Sequence, residues 1–113
     1  MKSEHLEQVE FVAWFRKTYK GVRIFAIPNG GARSGAQGMA LKSEGVVKGV
    51  PDLFIPEFRL FIEMKNSKGG QVSIEQKDWI EYLNNCGYIA TVCNGFDNAK
   101  LFIEKLVNDK NIL

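Results

Sequence analysis

Residues Gly49–Lys65 read GVPDLFIPEFRLFIEMK. Apolar residues fill two short runs, as the strands of a core hairpin would require, yet Asp52, Glu63 and Lys65 interrupt them. In the second run, Arg59 to Lys65, side chains alternate between faces. Leu60, Ile62 and Met64 therefore share the face that enters the core, and Glu63 and Lys65 share the other. An even-length loop centred on Glu57-Phe58 pairs Ile55 with Leu60 and Asp52 with Glu63, which brings opposed Cβ atoms to about 4.5–5.5 Å. Two opposed carboxylates repel unless they share a proton or bind a cation. Oxygen ligands without a thiolate or imidazole suit Mg²⁺ or Mn²⁺. A lysine one step along can orient a water or neutralise charge developing on phosphorus. Asp52, Glu63 and Lys65 around one metal form a constellation for hydrolysing a phosphodiester. The competing reading is an aspartate at a strand end and a surface ion pair between Glu63 and Lys65. The ExK tripeptide is common, so the weight falls on the opposed aspartate and the apolar strands around it.

Outward from this hairpin the chain alternates helix and strand patterns. Ser3 caps a helix over roughly residues 4–18, with Leu6, Val9 and Ala13 on one apolar face. Its second half, FVAWF, is apolar nearly all round, which predicts burial on several sides or a subunit contact. VRIFAIP reads as a strand ending at Pro28, NGGARSGAQG as a loop, and MALKSEG as a short helix stopped by Gly45. Strands follow near 52–55 and 59–65, then an SKGGQ turn. A second long helix runs from Ser73 to about Asn85, with Ile80 and Leu83 inward and Gly87 as its stop. YIATVC is a strand of β-rich composition. Asp97 is placed to cap a last helix carrying Leu101, Phe102, Leu106 and Val107. The order α-β-(α)-β-β-α-β-α predicts an α/β fold, a mixed β-sheet flanked by helices.

The 113 residues suffice for one compact domain and not for two, so a single domain over 1–113 is expected. The fractions of apolar (45%) and charged (25%) residues are those of a soluble globule. No apolar run is long enough to cross a bilayer, and the N-terminus lacks the pattern of a secretory signal, so no membrane role and a cytoplasmic location are expected. Cys86 and Cys93 form no CxxC pair and have only His5 as a nitrogen companion; buried free thiols are expected in place of a zinc site. Arg16, Lys17, Lys20, Arg23, Arg33, Lys42 and Lys48 are opposed in their stretch only by Glu44, a distribution that can make a basic surface for a polyanion. Asn29-Gly30-Gly31-Ala32-Arg33 can let a backbone approach a phosphate. It is no P-loop, because no Gly-Lys-Ser/Thr follows, and no nucleotide cofactor is expected. Asn29, Arg33, Lys42, Lys48 and Lys68 are the candidate nucleic-acid contacts. His5 at a helix start reads as solvent-facing or structural, and Trp14 and Trp79 as packing residues. Ser73-Ile74-Glu75-Gln76 spells a capping box.

Pro51-Asp52 and Glu63-Met64-Lys65 resemble the two halves of the PD-(D/E)XK nuclease signature, and the α-β-β-β-α-β order is similar to that restriction-endonuclease-like fold. Within that superfamily the chain most resembles the VRR-NUC group, the virus-type replication and repair nucleases. The matching pieces are SEHLEQV, IPNGGAR, LKSEGVVKGVPDL, LFIEMK, VSIEQKDWIEYL and GYIATVCNG, which together span nearly the whole chain. The resemblance implies a Mg²⁺- or Mn²⁺-dependent phosphodiesterase acting on DNA, with Asp52, Glu63 and Lys65 at its centre. It adds an acid from the first helix to the metal site; Glu4 and Glu7 both fit, and Glu7 is favoured, giving Glu7, Asp52 and Glu63 as ligands. It also gives Gln76 a place in the catalytic set, beside its reading as a cap. Stand-alone relatives of this kind look like dimers, and some resemble junction-resolving enzymes. The implied protein is a homodimeric, structure-selective endonuclease for four-way junctions or other branched DNA in replication or repair, acting in the cytoplasm of its cell or of a viral host. The rival readings are a non-catalytic nucleic-acid-binding module of the same fold and a nuclease acting on RNA.

Overall fold

The computed structural model describes residues 2–28 and 35–112. The elements are α1 (Glu4–Thr18), β1 (Phe25–Ala26), α2 (Gly35–Ser43), β2 (Leu53–Ile55), a 3₁₀ turn (Pro56–Phe58), β3 (Leu60–Lys65), α3 (Ile74–Asn85), β4 (Ile89–Asn94) and α4 (Phe96–Lys110). The strands form one four-stranded sheet in the order β1-β2-β3-β4. β1 pairs antiparallel with β2, β2 antiparallel with β3, and β3 parallel with β4. The mixed α/β sheet flanked by helices is thus present. Among the described residues, no helix is long and apolar enough to cross a membrane.

The hairpin has the register expected from alternation, with Ile55 opposite Leu60 and Leu53 opposite Ile62. One further step puts Asp52 opposite Glu63. The turn is irregular: Pro56 opens a 3₁₀ turn, and Arg59 closes it at φ 50°, a left-handed conformation uncommon for a residue with a Cβ. Leu53, Ile55, Leu60, Ile62 and Met64 all point to one face and are buried against Phe11 and Phe15 of α1 and Ala99, Ile103 and Leu106 of α4. The opposite face of β3 carries Phe61, Glu63 and Lys65, with α3 packed alongside on β4. Asn84 of α3 clamps that packing by donating to the carbonyl of Ala90 and accepting from its amide.

α1 begins where its sequence dictates, with Ser3 Oγ accepting from the Leu6 amide. Its inward face differs from the expected one. Leu6 and Val9 are 43% and 48% exposed and Ala13 is exposed, whereas Glu7, Phe11 and Phe15 are buried. The two phenylalanines remove more apolar surface from water than Leu6 and Val9 would, and they set the rotation of the helix. FVAWF is buried at Phe11 and Phe15 and half-buried at Val12 and Trp14, with Ala13 alone among the five exposed. Trp14 packs against Phe11, Phe15, Tyr19 and Phe96, a core role as expected.

Four local readings need correction. The strand expected over VRIFAIP pairs only at Phe25–Ala26. The short helix α2 starts at Gly35 and takes in residues read as loop. The last helix begins at Phe96, so Gly95 is its N-cap and Asp97 lies in its first turn; Leu101 is 65% exposed. Cys93 is buried, and burial pushes its thiol up to about 12, but Cys86 at the end of α3 is exposed. Gly49 explains the approach to β2. It sits at φ +95°, and a Cβ there would stand 2.7 Å from Glu75 Cβ, so this loop lies directly on the first turn of α3.

Candidate active site

The site lies where the outer face of the β2–β3 hairpin meets the first turn of α1 and the first turn of α3. Asp52 sits one residue before β2. Its Oδ2 accepts from the Met64 amide at 2.7 Å, extending the ladder by one side-chain bond. Its own carbonyl accepts from the Ile27 amide at 2.7 Å, so the residue is held from both sides. Glu63 and Lys65 are 1% and 6% exposed, which makes them buried charged groups and not a surface ion pair. Lys65 Nζ lies 3.5 Å from Glu63 Oε2.

Gln76 joins these groups to α3. Its Oε1 accepts from the Ser73 amide at 2.9 Å and from Lys65 Nζ at 3.1 Å. Its Nε2 donates to Glu63 Oε2 at 2.9 Å, while its backbone amide donates to Ser73 Oγ. The capping box is complete, and the same side chain touches both charged residues of β3. The two readings of Gln76 are therefore compatible: the cap holds one amide plane so that its oxygen faces the ammonium and its nitrogen faces the carboxylate.

The helix-one acid beside the pair is Glu4. Carboxylate oxygens of Glu4, Asp52 and Glu63 lie within 4.8 Å of one another. Glu7, favoured on the sequence, is placed elsewhere. It is 4% exposed, and its Oε1 accepts from the Phe96 amide at 2.9 Å. Gly95 has no side chain to cap α4, so Glu7 supplies the acceptor from another helix, and its charge suits the positive end of α4. Gly95 is at φ +91°, and a Cβ there would lie 2.9 Å from Ser67 Cα and 3.1 Å from Glu7 Oε2, so only glycine lets these three segments meet. The sequence held a signal for this. Glu7, Phe11 and Phe15 fall at i, i+4 and i+8, one stripe of the helix, which aligns Glu7 with the core phenylalanines.

Burial dominates the electrostatics. It raises Glu63 to about 8, with the charge of Asp52 adding to the rise and Lys65 opposing it. Burial also raises Asp52, against the lowering effects of the Met64 amide, Glu63 and Lys65. The two carboxyls titrate as a pair that keeps a proton near neutrality. Glu63 Oε1 is buried and, among the described residues, has no hydrogen-bond partner. A buried orphan oxygen costs about 1–3 kcal/mol, more when charged. The donor set is all carboxylate oxygen, the orphan atom belongs to it, and a hard divalent cation fits both facts.

The raised Glu63 gives a signed stability prediction. The native state holds a proton that the unfolded chain releases above its ordinary value of 4.5. The stability this contributes is fully present below that value and is lost as pH rises toward about 8. Without metal, thermal stability should fall across this window, with a slope of at most about 1.4 kcal/mol per pH unit from this site. Saturating Mg²⁺ should flatten the slope, because cation binding favours the ionised pair. Unfolding curves at pH 5, 6, 7 and 8 in EDTA and in Mg²⁺ check it.

The remaining candidates are dispersed. Lys68 is exposed in the turn after β3, Lys42 is exposed near the end of α2, and Lys48 is exposed before β2, with Nζ 3.9 Å from Glu75. Asn29 and Arg33 lie outside the described residues. His5 is exposed beside Glu4, and Trp79 is half-buried against Tyr82.

Comparison with known proteins now bears on this arrangement. The family model described as the VRR-NUC domain matches residues 2–97. The chain belongs to the VRR-NUC family. A solved structure of a VRR_NUC domain protein superposes with a TM-score of 0.77 at 28% identity, covering 95% of this chain and 89% of that one. No curated protein matches. The VRR-NUC membership makes this a nuclease-type domain, and the mixed sheet with its flanking helices is the restriction-endonuclease-like architecture expected for it. Of the residues that carried the resemblance in the sequence, Asp52, Glu63 and Lys65 meet at this site of the VRR-NUC domain, while Met64 between them enters the core.

Proposed function

We propose that this VRR-NUC domain is a divalent-metal-dependent deoxyribonuclease, selective for branched DNA such as four-way junctions and working as a homodimer. The observation that carries the catalytic part is the buried Glu63 Oε1, unpartnered among the described residues, at the meeting of three carboxylates, with Lys65 beside it. Glu4, Asp52 and Glu63 would hold Mg²⁺ or Mn²⁺, which supplies Lewis acidity toward the scissile phosphate and acidifies a water.

The chain's own groups do the positioning. An ammonium has three donors. Lys65 directs one to Gln76 Oε1 and one toward Glu63 Oε2, which leaves the third for a water or a phosphate oxygen. Gln76 cannot turn its amide without breaking its bonds to Ser73 and Glu63, so the ammonium is held ready before substrate arrives. Burial excludes competing solvent and strengthens the charge that Lys65 presents to the phosphate. Sequence-independent recognition suits the exposed lysines, which contact backbone and shape more than base edges. A two-fold dimer would present two such sites to the paired strands of a junction.

The test is a panel of linear, flapped and four-way DNA substrates, with RNA counterparts, scored for cut position in Mg²⁺, Mn²⁺ and EDTA. The expected result is cleavage of branched DNA in either ion and none in EDTA. Tight binding with no cleavage in either ion would overturn the catalytic reading and leave a binding module. Preferential cutting of the RNA set would overturn the substrate.

A further inference from the structure

The first turn of α1 is anchored by a single buried residue. Of the fifteen residues of this helix, Glu7, Phe11 and Phe15 are the buried ones. Phe11 and Phe15 lie one and two turns beyond Glu7, so they set the rotation of the helix without holding its start. The cap at Ser3 is a bond within the helix, and Leu6 is exposed. The Lys2–Glu10 ion pair lies at the surface, where such a pair contributes little. Glu4, which meets Asp52 and Glu63, sits in this same turn and is itself exposed. Its place at the cluster therefore depends on what fixes Glu7.

Glu7 is tied to the end of the sheet. The Phe96 amide donates to its Oε1, and the Gly95 amide, one residue earlier, donates to the Lys65 carbonyl at 2.8 Å. Two consecutive amides thus link α1 to the last residue of β3. No local cap can replace this link. A Cβ at residue 95 would stand 2.9 Å from Ser67 Cα, which leaves no room for a side chain there. The turn after β3 adds a second close approach. A Cβ at Gly70 would stand 3.1 Å from Lys65 Cδ and 3.6 Å from Glu4 Oε2, so this turn runs over both groups. Glu4 and Lys65 are therefore packed under one turn, while the segments that carry them are joined through Glu7.

We propose that Glu7 is a positioning residue for the acidic cluster. Its bond to the Phe96 amide fixes the turn of α1 that carries Glu4 and joins it, through Gly95, to the strand end that carries Lys65. Glu7 acts through Glu4 and not as a ligand of its own, because its carboxylate is engaged at α4. The inference rests on the metal-dependent reading for what the cluster does, but its test reads ion affinity apart from cleavage.

The test is the affinity of the full chain for Mn²⁺ alone, by isothermal titration calorimetry at a temperature where every variant is folded, beside melting curves in EDTA. The variants are Glu7→Met, Glu7→Gln, Glu4→Gln and Glu4→Gln combined with Glu7→Met. Methionine keeps the length and removes both oxygens; glutamine keeps an acceptor at the same reach. Glu7→Met should weaken Mn²⁺ binding by about tenfold, the scale of losing a group that orients a metal ligand. Glu7→Gln should retain most of the wild-type affinity. In the Glu4→Gln background, Glu7→Met should have little further effect on Mn²⁺ binding, because the ligand it places is gone. A merely structural Glu7 would lower the melting temperature and leave the affinity of the folded protein alone. The inference is overturned if Glu7→Met binds Mn²⁺ as the wild type does, if Glu7→Gln loses as much as Glu7→Met, or if the loss is undiminished without the Glu4 carboxylate. Should Glu7→Met not fold, Glu7→Asp takes its place: the shorter acid keeps the charge, draws the start of α1 toward α4, and should weaken Mn²⁺ binding with the same dependence on Glu4. A wild type that binds Mn²⁺ but cuts no substrate would sink the nuclease reading, while the affinity comparison still decides Glu7.

Discussion

Lys65→Met is expected to lower phosphodiester cleavage by at least about 10²–10³-fold, the cost of removing one preorganised charge from a transition state, while the protein stays folded. Methionine keeps most of the buried aliphatic stem, so packing around residue 65 survives. The lost ammonium would leave Glu63 facing Asp52 without its counter-charge. Burial and Asp52 already hold Glu63 up to about 8, and without Lys65, which opposes that rise, the pair simply holds its proton more firmly. The loss should fall on turnover more than on DNA affinity, because Lys65 is 6% exposed and cannot contribute much to a surface interface. Single-turnover rates with saturating enzyme, together with the melting temperature, separate the two effects. Retained cleavage at near wild-type rate would remove Lys65 from the chemistry.

Asp52→Asn is the second large effect and runs in opposite directions for function and stability. The amide can still accept from the Met64 amide, so the end of the hairpin keeps its bond. It cannot supply the charge that a hard cation requires. Cleavage should be lost, and so should the stabilisation that Mg²⁺ confers on the wild type, about 2.7 kcal/mol at a hundredfold excess over Kd. Without metal, above about pH 8 where Glu63 ionises, the variant should be more stable than the wild type, by up to ~1 kcal/mol, because a like-charge pair has been removed. Melting curves with and without Mg²⁺ read both changes. A variant that unfolds in EDTA while the wild type does not would mean that the carboxylate is structural.

The hairpin register was legible because it depends on a period of two and on the loop between the strands. Leu60, Ile62 and Met64 can enter the core only together, and Ile55 can face Leu60 only in one alignment, which carries Asp52 to Glu63. The starts of α1 and α3 were legible for the same kind of reason, since Ser3 and Ser73 cap within three residues of themselves. Gln76 was legible as a cap and as a site residue, but only the packing of α3 beside β3 shows that one amide does both.

What a local pattern cannot supply is the rotation of a helix about its axis and the choice of partner between distant segments. Glu4 and Glu7 are three residues apart on α1 and equally suited to a first-turn acid. Burial of Phe11 and Phe15 turned Glu7 toward the bare N-terminus of α4 and left Glu4 with Asp52 and Glu63. The same rotation exposed Leu6, Val9 and Ala13, which local periodicity had placed inward. Thus the amino-acid order alone determined the β2–β3 hairpin, its register and the opposed charges. The tertiary structure alone decided which acid completes the cluster, because that choice depends on the apolar area each rotation of α1 removes from water.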